Sequence, residues 1–129
     1  MQSYLLVFVL SCIITTTDSC MAMSPSEPGV PATPPCGMCT PAQIDKSEGG
    51  VGAEMFATDE TTTDANTKCL SRTLTCEGVN ANIEVDNGDH GVINDVNGVA
   101  TITVMCNAAG NGWELDGVQI TKLQCASGD

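Results

Sequence analysis

The sequence predicts an all-β domain, a small antiparallel β-sandwich stapled by disulfides. Three observations carry that expectation. Short runs alternate apolar and polar residues with period two, and no window of about eleven residues or more shows a helical period. Turn signals recur roughly every ten residues, at Asn87-Gly88, Asn97-Gly98, Asn111-Gly112 and Asp116-Gly117. Eight cysteines in 129 residues are more than a reduced cytosolic chain usually keeps.

Tyr4 to Leu10 (YLLVFVL), extended by Cys12, Ile13 and Ile14, form an apolar run of about eleven positions. A transmembrane helix needs roughly 20, so the run reads as the core of a signal peptide spanning residues 1–19. Thr17 and Ser19 set cleavage before Cys20, while Cys20 and Ala22 would set it before Met23. No later segment is apolar enough to span a bilayer, and the polar end Ala126 to Asp129 does not suit a GPI signal. The expectation is a secreted, extracellular protein. Sixteen acidic groups against four basic ones give a net charge of −12. That balance excludes nucleic acid and anionic membrane surfaces as partners, since both reward Lys and Arg. Without the signal the chain keeps only Phe56 and Trp113 as aromatics. Its core must be built from smaller side chains, which makes covalent staples the expected remedy.

Residues 20–35 read as a Pro/Ser/Thr-rich linker, with five prolines between Ser24 and Pro35 and O-glycan acceptors at Ser24, Ser26 and Thr33. The folded unit is expected over 36–125, followed by a tail at 126–129. A first strand is expected around Val51–Ala57, then a mobile polar loop from Thr58 to Thr67. The next strand, from near Cys69, carries Leu70, Leu74 and Cys76 on one side with Arg72 between them. Val79, Ala81, Ile83 and Val85 share a face in the following run. Ala100, Ile102, Val104 and Cys106 do so later, as do Leu123 and Cys125 near the end.

The domain's cysteines are Cys36, Cys39, Cys69, Cys76, Cys106 and Cys125, spaced C-x2-C, C-x6-C and then singly. Six cysteines allow fifteen pairings. Side-chain parity puts Cys76 and Cys106 each on an apolar face, which favours a Cys76–Cys106 bridge across facing sheets. In the chain-entropy account its loop of about 30 residues would contribute roughly 3 to 4 kcal/mol. Cys69 lies seven positions from Cys76 and points the other way. A redox motif at Cys36-Gly-Met-Cys39 would want a helix N-terminus and a βαβ setting, which the flanking prolines deny. Zinc held by Cys36, Cys39, Cys69 and Cys76 is disfavoured by an oxidising compartment. Three structural disulfides are expected, with no cofactor and no metal.

The opening C-x2-C, the run Cys69-Leu-Ser-Arg-Thr-Leu-Thr-Cys76 and Gly-Val-Ala-Thr-Ile-Thr-Val-Met-Cys106 carry a resemblance. Trp113 and the closing Ile120-Thr-Lys-Leu-Gln-Cys125 add to it. Together they resemble the six-cysteine domain of many nematode secreted proteins, over Cys36 to Cys125. The resemblance implies an extracellular domain with three disulfides, and it implies no activity. Cys20 departs from the pattern and offers a thiol for an intermolecular bridge.

No catalytic set assembles from the sequence, and the protein is not expected to be an enzyme. Asp86, Asp89, Asp95 and Asp116 sit beside turn residues, where Asp usually hydrogen-bonds its own backbone. Asp86-Asn-Gly-Asp89 fails the EF-hand template, with Gly88 and His90 at ligand positions. His90, the single histidine, reads as an exposed loop residue. Trp113 is either a ligand platform or, in a core so poor in rings, the main packing anchor. The expected function is an extracellular structural or interaction module. A ligand- or glycan-binding domain is the alternative, and a protease inhibitor using Glu77–Asn82 or Thr58–Thr67 is a third reading. The partner is expected to be an extracellular protein or glycan.

Overall fold

A computed structural model describes residues 32–46 and 52–128, all within one unit that begins at Ala32. The expected signal peptide, Cys20 and most of the expected linker lie outside the described residues. Nine strands follow in order: β1 (Ala53–Glu54), β2 (Thr58–Thr63), β3 (Leu70–Glu77), β4 (Val79–Val85), β5 (Val92–Asn94), β6 (Val99–Cys106), β7 (Trp113–Leu115), β8 (Val118–Ile120) and β9 (Leu123–Gly128). Helical structure among the described residues is confined to 3-10 turns of three residues each. One sheet has the order β1-β9-β4-β5, the other β2-β3-β6-β7-β8, and every strand pair is antiparallel. The chain is therefore the all-β, disulfide-stapled sandwich that its alternation predicts.

The alternation works because successive residues on a strand point to opposite faces. On β6, Ala100, Ile102, Val104 and Cys106 are buried while their neighbours are exposed. Leu74 and Cys76 on β3 face them from the same sheet, and Ala81, Ile83 and Val85 on β4 with Leu123 and Cys125 on β9 close the core from the other. Val79 breaks the rule and stands 59% exposed. The β4–β9 register shifts between Val79 and Asn82, and Asn80 turns left-handed at φ 52°, so the inward face begins only at Ala81.

Arg72 occupies the same inward row as Leu74 and Cys76 and is fully buried. Its Nε and Nη2 donate to the two carboxylate oxygens of Asp59, each at 2.6 Å, and Nη1 donates to the Pro41 carbonyl at 2.9 Å. Asp59 lies on β2, within the segment Thr58–Thr67 expected to be a mobile loop. That expectation is corrected: Thr58–Thr63 pairs residue for residue with β3 as an edge strand. Threonine favours extended backbone, and an edge strand tolerates polar side chains on both faces. Only Asp64 onward turns, with the Asp64 carboxylate accepting from the Asn66 and Thr67 amides.

The early strand is shorter than the expected 51–57 span. Among the described residues of that span the strand is Ala53–Glu54, and it joins the opposite sheet against Ala126 and Cys125. The expected tail is also corrected, since β9 continues past Cys125 to Gly128.

The disulfides are Cys36–Cys69, Cys39–Cys106 and Cys76–Cys125, with Cα separations of 4.7, 5.7 and 5.5 Å. The expected Cys76–Cys106 bridge does not form. Both residues face inward, as parity requires, but β3 and β6 are neighbours in one sheet. Cys76 is level with Ala100, whereas Cys106 is six residues further along, about 20 Å at strand rise. Across the core Cys76 meets Cys125 on β9, which joins the two sheets covalently. Peptide mapping of unreduced protein is expected to recover the 36–69, 39–106 and 76–125 linked pairs; a linked 76–106 pair would contradict this topology.

Candidate functional site

Trp113 begins β7 level with Cys106 and is fully buried. Its indole Nε1 donates to the Thr40 carbonyl at 2.9 Å, and the Arg72 guanidinium carbon lies 5.9 Å from a ring centroid. The ring thus packs against a desolvated cation and offers no face to solvent, so it serves as anchor rather than platform. Consecutive carbonyls, Thr40 and Pro41, are held by Trp113 and Arg72 in turn. Beside them Cys39 is bridged to Cys106, and Ile44 is buried. Residues 39–44 are thereby strapped along the sandwich by one covalent bond and two side-chain hydrogen bonds. The strap enters across the 107–112 loop, where Gly110 adopts φ +72° and a Cβ would strike the Pro35 carbonyl.

The redox and zinc readings, disfavoured on sequence, would need free thiols at Cys36 and Cys39. The two residues have different partners, Cys69 and Cys106, so the C-x2-C pair forms two separate structural bridges.

His90 is exposed and its Nδ1 lies 2.8 Å from Asp86 Oδ2. The other Asp86 oxygen accepts from the Thr121 amide and hydroxyl and the Lys122 amide, at 2.9, 2.9 and 2.8 Å. Asp86 and Asn87 are both left-handed, at φ 49° and 59°. The carboxylate therefore fastens the end of β4 to the turn that leads into β9. Asp95 accepts from the Gly98 amide at 2.7 Å, which closes the β5–β6 turn. These acids serve the turns, as Asp at such positions does. No cluster of three or more metal-ligating side chains occurs among the described residues.

Burial works to raise the Asp86 pKa, but the hydrogen bonds from Thr121, Lys122 and His90 outweigh it and hold the carboxyl below its usual range. The Asp59 pKa is lowered from 3.8 to about 2, chiefly by the Arg72 hydrogen bonds, against a smaller opposing effect of burial and with help from Lys46.

The outer faces of the sheets are mostly polar and form regular rows, with scattered exposed Val and Met side chains. On the outer face of the larger sheet, Thr58, Thr75 and Thr101 form one cross-strand row; Glu60, Thr73 and Thr103 form the next. Thr62, Ser71 and Met105 form a third. The Thr62 and Ser71 hydroxyls are 2.8 Å apart and those of Thr73 and Thr103 3.0 Å. The outer face of the smaller sheet carries Asn82 between Asn94 and Ala126, and Glu84 between Gln124 and the exposed Val92. Period-two patterning locates these residues as outward, but the rows depend on strand order, which the pattern does not contain.

The sequence profile of the C6 domain matches residues 39–125. The chain belongs to the C6 domain family. The match takes in five of the six bridged cysteines and begins after Cys36. Uncharacterized protein R07B1.5 of Caenorhabditis elegans is similar, at 36% identity over 99 residues covering 70% of this chain and 60% of that protein. The chain thus spans about 60% of the length of this relative. No solved structure matches the chain. A disulfide-rich β fold with a C6 domain fits an extracellular module, and no helix among the described residues is long and apolar enough to cross a membrane.

The depressed pKa of Asp59 sets an acid limit on this C6 domain. A carboxyl whose folded pKa lies below its unfolded value stabilises the fold above the unfolded value and loses that contribution as pH falls through the folded one. The denaturation free energy is expected to be flat near neutrality and to fall between about pH 4 and pH 2. Denaturant titrations at stepped pH check this, and an Asp59→Asn variant should show a shallower acid slope.

Proposed function

We propose that this C6 domain is a secreted, non-enzymatic interaction module that contacts an extracellular partner through its polar outer faces. One observation carries the reading: among the described residues, the six cysteines, the arginine, the histidine and the tryptophan are all engaged in holding the fold. Six cysteines are bridged, Arg72 and Asp59 neutralise each other, His90 lies against Asp86, and Trp113 is inside. The outer faces carry mostly hydroxyls, carboxamides and carboxylates, with Val92, Val99 and Met105 exposed among them and Val118 exposed at the start of β8. Such groups suit a neutral or basic protein surface, and the acidic balance disfavours nucleic acid and anionic membrane. The protease-inhibitor reading loses support because Thr58–Thr63 of the segment Thr58–Thr67 is a paired strand, as are Glu77, Val79 and Asn82 of Glu77–Asn82, which leaves it the short exposed turn Asp64–Thr67.

A glycan-binding role is the second reading. It would have to work through the hydroxyl or carboxamide rows, since neither Trp113 nor half-buried Phe56 offers an open stacking platform.

The test applies labelled secreted protein to arrays of immobilised extracellular-matrix proteins and neutral glycans. Wild type is compared with Thr73→Lys/Thr103→Lys and with Asn82→Lys/Asn94→Lys. Saturable binding to a matrix protein, lost in one face variant that melts normally, is the expected result. Binding to glycans alone would install the second reading. Protein-dependent turnover of a chromogenic ester, glycoside or peptide would overturn the non-enzymatic reading.

A further inference from the structure

We infer that the free edge of β2 pairs with the β2 edge of a second copy of this chain, giving a weak antiparallel dimer. The hydrogen-bond phase of β2 is the starting point. The Asp64 amide donates to the Cys69 carbonyl at 2.9 Å, in the same register that pairs Thr62 with Ser71, Glu60 with Thr73 and Thr58 with Thr75. In an antiparallel ladder the hydrogen-bonded positions alternate. Thr58, Glu60 and Thr62 therefore direct their backbone groups to β3, whereas Asp59, Thr61 and Thr63 direct theirs away from it. β2 ends its sheet, and no described strand lies on that side.

Two common guards against edge pairing are weak here. The bulge, where the Ala57 amide also reaches the Thr75 carbonyl, lies at the entrance and leaves Thr58–Thr63 regular. The inward charge, Asp59, is matched by Arg72 and Lys46 rather than left to repel a neighbour.

A second copy of the edge fits this one in a register that keeps its acids apart. With a two-fold axis at Thr61, Thr61 meets its own copy and Asp59 meets Thr63. All three unpaired positions then fall in hydrogen-bonded pairs, about six bonds in total. Glu60 meets Thr62 and Thr58 meets Asp64, so no acid lies directly opposite an acid. The two hydroxyl faces become one continuous surface. An edge of six residues buries far less than the roughly 1,200 Å² of a standard interface, and two acidic copies repel at long range. The expected dissociation constant is accordingly on the order of 0.1–1 mM, tightening as salt is added.

Sedimentation equilibrium from about 0.05 to 2 mM, at low and high salt, tests the inference on the full secreted chain. Thr61→Pro removes an amide that the β3 ladder does not use, so it should melt like wild type yet weaken the dimer about tenfold or more. Thr62→Lys sets a cation opposite Glu60 of the other copy, twice per dimer, and should tighten it several-fold. Concentration-dependent dimer that responds to both variants supports the edge pairing. A wild type that stays monomeric up to about 2 mM overturns it, as does a dimer that Thr61→Pro leaves intact. Neither outcome touches the reading of an external partner, which rests on the outer faces.

Discussion

A full positive charge sits inside a core that has almost no aromatic bulk, and much of the surrounding structure is arranged to satisfy it. An arginine side chain offers five N–H donors and no acceptor, so the burial of Arg72 demands partners for them. Asp59 supplies two acceptors from the edge strand, and the Pro41 carbonyl supplies a third from the strap. Each partner is tied to a different piece of chain, so the charge organises three elements at once. β2 is held in register by its carboxylate. The 39–44 strap is drawn down onto the sheet, where Trp113 takes the adjacent Thr40 carbonyl.

The covalent framework completes what the small side chains begin. Cys76–Cys125 joins the two sheets through the core, Cys39–Cys106 fixes the strap, and the half-buried Cys36–Cys69 ties the entering segment to the start of β3. Two of the three bridges thus secure chain that has no strand partner of its own. This division of labour explains how a fold with one buried tryptophan can hold a strap whose own structure is a single 3-10 turn, Pro41–Gln43.

Much of the fold was legible in the alternation. Period two gave the inward rows of β3, β6 and β9 because both faces of each sheet see different solvents there. Alternation was silent about strand order, and that silence produced the wrong cysteine partner. Cys76 and Cys106 satisfy parity equally well in one sheet or in two, and only the β3–β6 pairing separates them. Thr58–Thr63 was misread for a different reason. With no apolar residue its extended state rests on threonine propensity, pairing to β3 and the Asp59–Arg72 bond, and the last is a long-range contact. A buried arginine flanked by core positions was the available signal, since its charge required an acid from elsewhere in the chain. Trp113 could be placed inside by scarcity of rings, but its carbonyl partner could not.

The central claim is that the Arg72 charge is desolvated and matched by Asp59, and a double-mutant cycle tests it most directly. Denaturation free energies would be measured for wild type, Asp59→Ala, Arg72→Met and the double variant at neutral pH. Removing Asp59 alone leaves an unmatched buried charge and should cost about 3–5 kcal/mol, while the double variant should recover a large part of that loss. A cost for Asp59→Ala within about 0.5 kcal/mol, with simple additivity in the double variant, would mean that the guanidinium reaches water and that the pair is an ordinary surface contact.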